Sequence, residues 1–175
     1  MMTDLEIRAA MESGEIVIDP RPEDWQIQPV SVDLRLGALD YTHRSRGDIP
    51  CWPPGTTTSP AFPIDRHYAL YGGDFYLGST VERITLCSSI AARVEGKSSI
   101  GREGICVQNA GLIDPGFDGE LTLEIWVVGN SIWVPKFTPI CQITFERLSG
   151  PVGRPYGTEG LGSRYQGQIG PTPAR

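Results

Sequence analysis

Turn residues interrupt this chain so often that long helices have little room to form. Its 21 glycines and 15 prolines make up about a fifth of 175 residues, against a usual level of roughly 12 per cent. They recur every ten or so residues, the spacing of short strands joined by tight turns. Between them, Val30, Val32, Leu34 and Leu36 alternate with Ser31, Asp33 and Arg35, the period of a half-buried strand. Further strands are expected over 15–18, 74–78, 83–87, 89–95, 104–108, 120–128, 131–134 and 139–147. The exception is the start of the chain, where Thr3 and Glu6 have capping-box spacing and Gly14 supplies a stop, so a short helix is expected over 3–13. The pattern predicts an all-β sandwich or barrel of the jelly-roll kind with a short N-terminal helix.

The length suits a single domain over 1–175. A Pro-, Thr- and Ser-rich stretch between Tyr41 and Arg66 has no periodicity and reads as a long surface excursion. Residues 150–175 are glycine-rich, with Arg154, Tyr156, Arg164, Tyr165, Gln166 and Gln168 as their large side chains. That composition fits either a loose tail or a flap that orders over a ligand. A net charge of −6 argues against nucleic acid and anionic membrane as partners. No apolar run approaches the roughly 18 residues of a membrane span, and the acidic N-terminus lacks an apolar leader, so a cytoplasmic protein is expected. Cys51, Cys87, Cys106 and Cys141 form no CxxC pair and are expected as buried thiols.

Chemistry concentrates between Val94 and Glu124. Gly96, Lys97, Ser98, Ser99, Gly101 and Arg102 offer two cations, two hydroxyls and flexible amides within seven positions, which suits a polyanion. Asp114, Asp118, Glu120 and Glu124 follow. In the strand ELTLEIWV, Leu121, Leu123, Ile125 and Val127 share one face while Glu120, Thr122, Glu124 and Trp126 share the other. Glu124 beside Trp126 and a donor-rich loop is therefore the candidate proton shuttle. Zinc deamination chemistry needs His-x-Glu and Pro-Cys-x-x-Cys, and neither occurs. His43 and His67 have no ligand partner at short spacing and read as surface residues, so no metal is assigned to protein ligands. No G-x-S-x-G is present, and the GKSS segment lacks the first glycine of a Walker A loop.

The order VEGKSSIGR, AGLIDPGFDG, TLE and RPYGTEGLGSRYQGQIGPTPAR resembles dCTP deaminase of the trimeric dUTPase-like superfamily, including its bifunctional members that carry dCTP through to dUMP. QPVSVDLRLG and GGDFYLGSTVERITL extend the match to almost the whole chain. The resemblance implies a distorted jelly-roll barrel, a homotrimer with active sites at subunit interfaces, and residues 150–175 as a lid. It implies Glu124 as general acid/base, with Ser98 and Arg102 beside it in the catalytic group. Lys97, Ser98, Ser99 and Arg102 would then surround the nucleotide, Asn109 and Ala110 would border the base and water, and Asp114 and Phe117 would meet the sugar. Thr122 and Leu123 would join Glu124 in reading the base edge, while Gln142, Tyr156, Arg164 and Gln168 would hold the triphosphate or close over it. Mg2+ would ride on the triphosphate, with no zinc. Substrates on this resemblance are dCTP and dUTP, with dTTP a candidate feedback ligand. Departures from the deaminase pattern are a GICVQNA loop one residue shorter, with Asn109 in place of threonine, and Ile169 in place of a tail arginine. NAGLIDPGFDG leans toward the dUTPase form of its motif, so two alternatives stand beside the deaminase: a dUTP pyrophosphatase without deaminase activity, and a catalytically silent nucleotide-binding regulatory trimer.

Overall fold

The computed structural model describes residues 1–42, 63–64, 67–109 and 111–174. The sequence expectations at His43, Cys51, Ala110 and most of the 41–66 excursion lie outside these residues. The N-terminal helix α1 (Asp4–Ser13) forms where expected: Thr3 Oγ1 accepts from the Glu6 amide at 3.3 Å, and Glu6 Oε2 accepts from the Thr3 amide at 2.8 Å. Gly14 ends it with φ 77°, a left-handed position that glycine takes without strain. Ile7 and Ala10 bury its inner face.

The remainder is β structure: β1 (Ile16–Asp19), β2 (Ile27–Gln28), β3 (Ser31–Thr42), β4 (Pro63–Ile64), β5 (His67–Leu70), β6 (Phe75–Leu86), β7 (Ile90–Gly96), β8 (Ile105–Gln108), β9 (Asp118–Val127), β10 (Ile132–Pro135) and β11 (Pro139–Arg147). The main sheet runs β7-β11-β3-β6-β9-β8, with β1 on β6 and β2 on β3, and every pairing is antiparallel. Its end strands curl toward each other until a Cβ placed on Gly96 of β7 would lie 3.3 Å from the Val107 carbonyl of β8, giving an almost closed barrel. A small sheet, β10-β5-β4, packs Tyr68, Leu70 and Val134 against the same core. The alternation of β9 holds throughout: Leu121, Leu123, Ile125 and Val127 are buried while Glu120, Thr122, Glu124 and Trp126 face outward.

Several elements differ from the sequence reading. β6 is one strand instead of two, because a register shift between Ser79 and Arg83 absorbs the irregular Gly78-Ser79-Thr80 stretch without breaking pairing. The matching irregularity in β3, between Leu36 and Leu39, needs Gly37, whose Cβ would meet the Thr80 carbonyl oxygen at 2.9 Å. β4 and β5 arise at the edge of the Pro-rich region, where short length hides periodicity, and His67 opens β5 instead of lying in irregular chain. The thiol expectation fails in part: Cys141 is buried, Cys87 is half-buried and Cys106 is exposed. In β8 the inward positions belong to Ile105 and Val107, which turns Cys106 out.

Polar side chains are also sealed inside. The Glu82 carboxylate, fully buried, accepts from Arg35 Nε at 2.6 Å, the Arg35 amide at 2.9 Å and Gln26 Nε2 at 3.0 Å. This ties β6, β3 and the 3-10 turn at Asp24–Gln26 together, and the pairing satisfies a charge that burial would otherwise penalise heavily. Among the described residues no helix is long and apolar enough to cross a membrane.

Candidate active site

Glu124 lies midway along β9, its Cα paired with Leu77 of β6 on one side and Gln108 of β8 on the other. The three side chains form a cross-strand row on the outer face of the barrel, at the short separations typical of directly opposed residues. Gln108 Nε2 donates to Glu124 Oε2 at 3.0 Å. One residue on, Asn109 Nδ2 donates to the Thr122 carbonyl at 2.7 Å, fastening the end of β8 to the strand that carries Glu124.

This row floors a cavity of about 620 Å3. Thr122, Asp114, Asn109 and Glu124 supply its polar wall, and Phe75, Leu77, Leu112, Phe117 and Trp126 supply its apolar one. Phe117 is buried and stacks on Tyr156 at a tilt, ring centroids 5.9 Å apart, while Asp114 is exposed to the cavity. A pocket of this size with apolar walls and a few convergent polar groups suits a heterocyclic ligand.

The C-terminal segment has no regular secondary structure, yet it is pinned to the same strand. Gln168 accepts from the Glu120 amide through its carbonyl at 3.0 Å and donates from Nε2 to the Glu120 carbonyl at 2.7 Å. The Gly170 amide donates to Glu120 Oε2 at 2.7 Å, and the Thr172 amide to Thr122 Oγ1 at 3.1 Å. Gln166 spans Gly116 and Asp118, donating to the Gly116 carbonyl at 2.9 Å and accepting from the Asp118 amide at 3.2 Å. Asp118 itself is fixed by Arg83, which donates from Nε at 2.8 Å and Nη2 at 2.6 Å, and by the Thr85 hydroxyl at 2.7 Å. Arg83 and Thr85 hold the Asp118 carboxyl below the usual carboxylate range. Tyr165, Gln168, Thr172 and Ala174 thereby line the cavity.

Lys97, Ser98, Ser99 and Gln142 gather in a different cavity, of about 520 Å3, around the short helix α2 (Ser98–Arg102). No residue lines both cavities. The Lys97 ammonium is paired with Asp33 of β3, a nearly buried carboxylate whose Oδ1 has no hydrogen-bond partner. Gln142 pairs with Asp33 across β11 and β3, and Ser31 Oγ donates to Gln142 Oε1 at 3.4 Å.

The sequence-predicted residues thus divide. Glu124, Asn109, Asp114, Phe117, Thr122, Tyr156 and Gln168 share the first cavity, and Lys97, Ser98, Ser99 and Gln142 share the second. Arg102 and Arg164 are exposed and line neither, and Leu123 turns a fully buried side chain into the core, so only its backbone can meet a ligand. Sequence reasoning missed Gln108, Leu77, Leu112 and Thr172. For Gln108 a signal existed, because the alternation of ICVQ makes it an outward position beside the reactive strand. It also missed the Asp33–Lys97 pair, whose members are 64 positions apart.

A family model described as dCTP deaminase-like matches residues 1–148. The chain is 41% identical over 188 residues to a "dCTP deaminase, dUMP-forming" of Mycobacterium tuberculosis, covering 100% of this chain and 95% of that one. It is 40% identical over 183 residues to a "dCTP deaminase" of Haloarcula marismortui, covering 98% and 92%. Among solved structures, a 2'-deoxycytidine 5'-triphosphate deaminase from Agrobacterium tumefaciens superposes with a TM-score of 0.66 at 28% identity, over 83% of this chain. The chain spans about half of that protein's length, 48%.

Proposed function

The chain belongs to the dCTP deaminase family, and from that premise we propose that it hydrolyses dCTP to dUTP and ammonia, with Glu124 as general acid/base. The observation that carries the reading is the outward carboxylate of Glu124 on β9, a strand paired on both sides, in one cavity with Thr122, Asn109 and Asp114. Glu124 takes a proton from water as the oxygen adds to C4 of the cytosine ring. It passes that proton to N3, then takes the second proton from the new C4 hydroxyl and passes it to the amino group, which leaves as ammonia as the C4 carbonyl forms. Thr122 and the amides near Asn109 stabilise charge on the tetrahedral centre. Phe117, stacked on Tyr156, packs the sugar, and Asp114 accepts from its 3'-hydroxyl.

Similarity to a dUMP-forming relative supports a second step, in which dUTP loses pyrophosphate, and Asp114 at the edge of the same cavity is the candidate residue for orienting that water. Mg2+ would be carried in on the nucleotide, since this ion binds readily through phosphate oxygens and water. The pinned segment 165–174 acts as a lid over the nucleotide.

The hydroxyls of α2 and the carboxylate of Glu124 line separate cavities in one chain, which supports a site completed by a second subunit of a homotrimer. Ser98, Ser99, Arg102 and Gln142 of one copy would then face the nucleotide seated against Glu124 of the next. Co-assembling Glu124→Gln chains with Ser98→Ala chains should restore roughly a quarter of wild-type turnover, the chance that a shared site draws both intact halves. No restoration would confine the site to one chain.

The deciding experiment measures ammonia and pyrophosphate independently with dCTP or dUTP, Mg2+ present, and with dTTP added as a candidate inhibitor. Ammonia release from dCTP that collapses to a small residual rate in Glu124→Gln, with dCTP binding retained, is the expected result. Pyrophosphate from dUTP without ammonia from dCTP would make the protein a dUTP pyrophosphatase. Tight dCTP binding without any turnover would make it a silent regulator.

A further inference from the structure

We infer that Gln108 is the positioning residue that aims the Glu124 carboxylate, an inference that rests on the deaminase reading of the site. The row Leu77–Glu124–Gln108 places Glu124 between two cross-strand neighbours of opposite character. Leu77 can offer only contact. Gln108 is the one side chain among the described residues that donates to Glu124, and it does so at 3.0 Å onto a single oxygen, Oε2.

The consequence is an unequal carboxylate. One oxygen is tied to β8, and the other is left for the reacting water and the substrate, so the carboxyl plane is fixed before either arrives. A glutamate side chain otherwise turns about three bonds, and a freely turning base loses much of the advantage of orientation. The geometry is also braced from below: the Asn109 amide bond to the Thr122 carbonyl prevents the end of β8 from drifting away from β9. Gln108 therefore acts from a fastened strand end, and it lines the same cavity as the group it holds.

Removing the donor should lower the rate of the chemical step and leave nucleotide binding alone. Gln108→Leu and Gln108→Met keep bulk and remove the amide. Each should reduce kcat for ammonia release from dCTP by about ten- to a hundredfold, the effect expected for a hydrogen bond to a charged group. The KM for dCTP should stay within about threefold, because Gln108 is not asked to bind the nucleotide. A purely structural role is separated by a cycle: Gln108→Leu added to Glu124→Gln should change the residual rate by less than about threefold, since the group it aims is already gone. Wild-type kcat in either single variant overturns the inference while leaving the deaminase reading standing. Equal losses with and without Glu124, or a KM rise that matches the fall in kcat/KM, also overturn it. Absence of ammonia from dCTP with the wild-type protein would instead sink the underlying reading.

Discussion

Replacing Arg35 by methionine keeps most of the side-chain volume and removes the one cation beside a carboxylate that solvent does not reach. The Glu82 side chain is fully buried and that of Arg35 is 21% exposed, so water can do little to compensate. Two neutral donors survive the change, the residue-35 amide and Gln26 Nε2, at 2.9 and 3.0 Å in the native protein. Breaking a buried ion pair from one side typically costs about 3–5 kcal/mol, and the surviving donors place this case near the lower end, about 3 kcal/mol. At roughly 2–4 °C per kcal/mol for a domain of this size, the midpoint of thermal unfolding should fall by about 6–12 °C. Arg8→Ala is the internal control, because its pair with Asp24 has side chains 42% and 93% exposed and should contribute less than about 1 kcal/mol. The assay is paired thermal and urea unfolding at one fixed protein concentration, since self-association would otherwise shift the midpoint. Adding Glu82→Gln to Arg35→Met should recover much of the loss. A single variant no less stable than the Arg8→Ala control, or a double variant no better than the single one, would refute the argument.

Loss of the Glu120 carboxylate, which holds the Gly170 amide at 2.7 Å, should free the C-terminal segment. Glu120→Ala should raise the KM for dCTP about fivefold and speed proteolysis between 160 and 175, and an unchanged cleavage rate would contradict the lid. Thiol alkylation followed by mass spectrometry should label Cys106 before Cys87. Cys141 should stay unmodified until the protein unfolds, because burial, with Glu82 and Asp33 nearby, pushes its thiol far above the ordinary range. The Asp118–Arg83 pair should give an acid-dependent increment of at most about 1 kcal/mol, discounted for partial exposure. Since the folded-state carboxyl titrates below its unfolded value, near 3.9, that increment is complete above about pH 4 and disappears as acidification passes the folded value. The stability gap between wild type and Asp118→Asn should therefore narrow below about pH 4, and a gap constant into strong acid would be inconsistent with it.

What the sequence made legible was local. The two-residue period of ELTLEIWV placed Glu124 outward and Leu123 inward before any coordinates, and Thr3 with Glu6 located the helix start. What it hid were pairings set by distant chain. The bond of Lys97 to Asp33 and the burial of Glu82 between β3 and the turn at Asp24–Gln26 depend on barrel closure, which no local pattern encodes. Contiguity also misled: residues 97–102 and 108–124 read as one reactive stretch, yet α2 and β9 open on different cavities. β4 and β5 escaped because strands of two and four residues carry too few alternations to register as a period. Gln108 was overlooked because a glutamine at a strand end looks like ordinary surface until its partner across the ladder is known.

The grip on segment 165–174 combines main-chain groups of Gln168, Gly170 and Thr172 with the side chains of Gln166 and Gln168. Such a grip fixes the spacing of the segment along β9, and Ala174 already lines the cavity. A reporter or affinity handle fused after that point would begin in the doorway of the cavity proposed for the nucleotide. One fused ahead of Met2, which lines neither cavity, would leave the doorway clear.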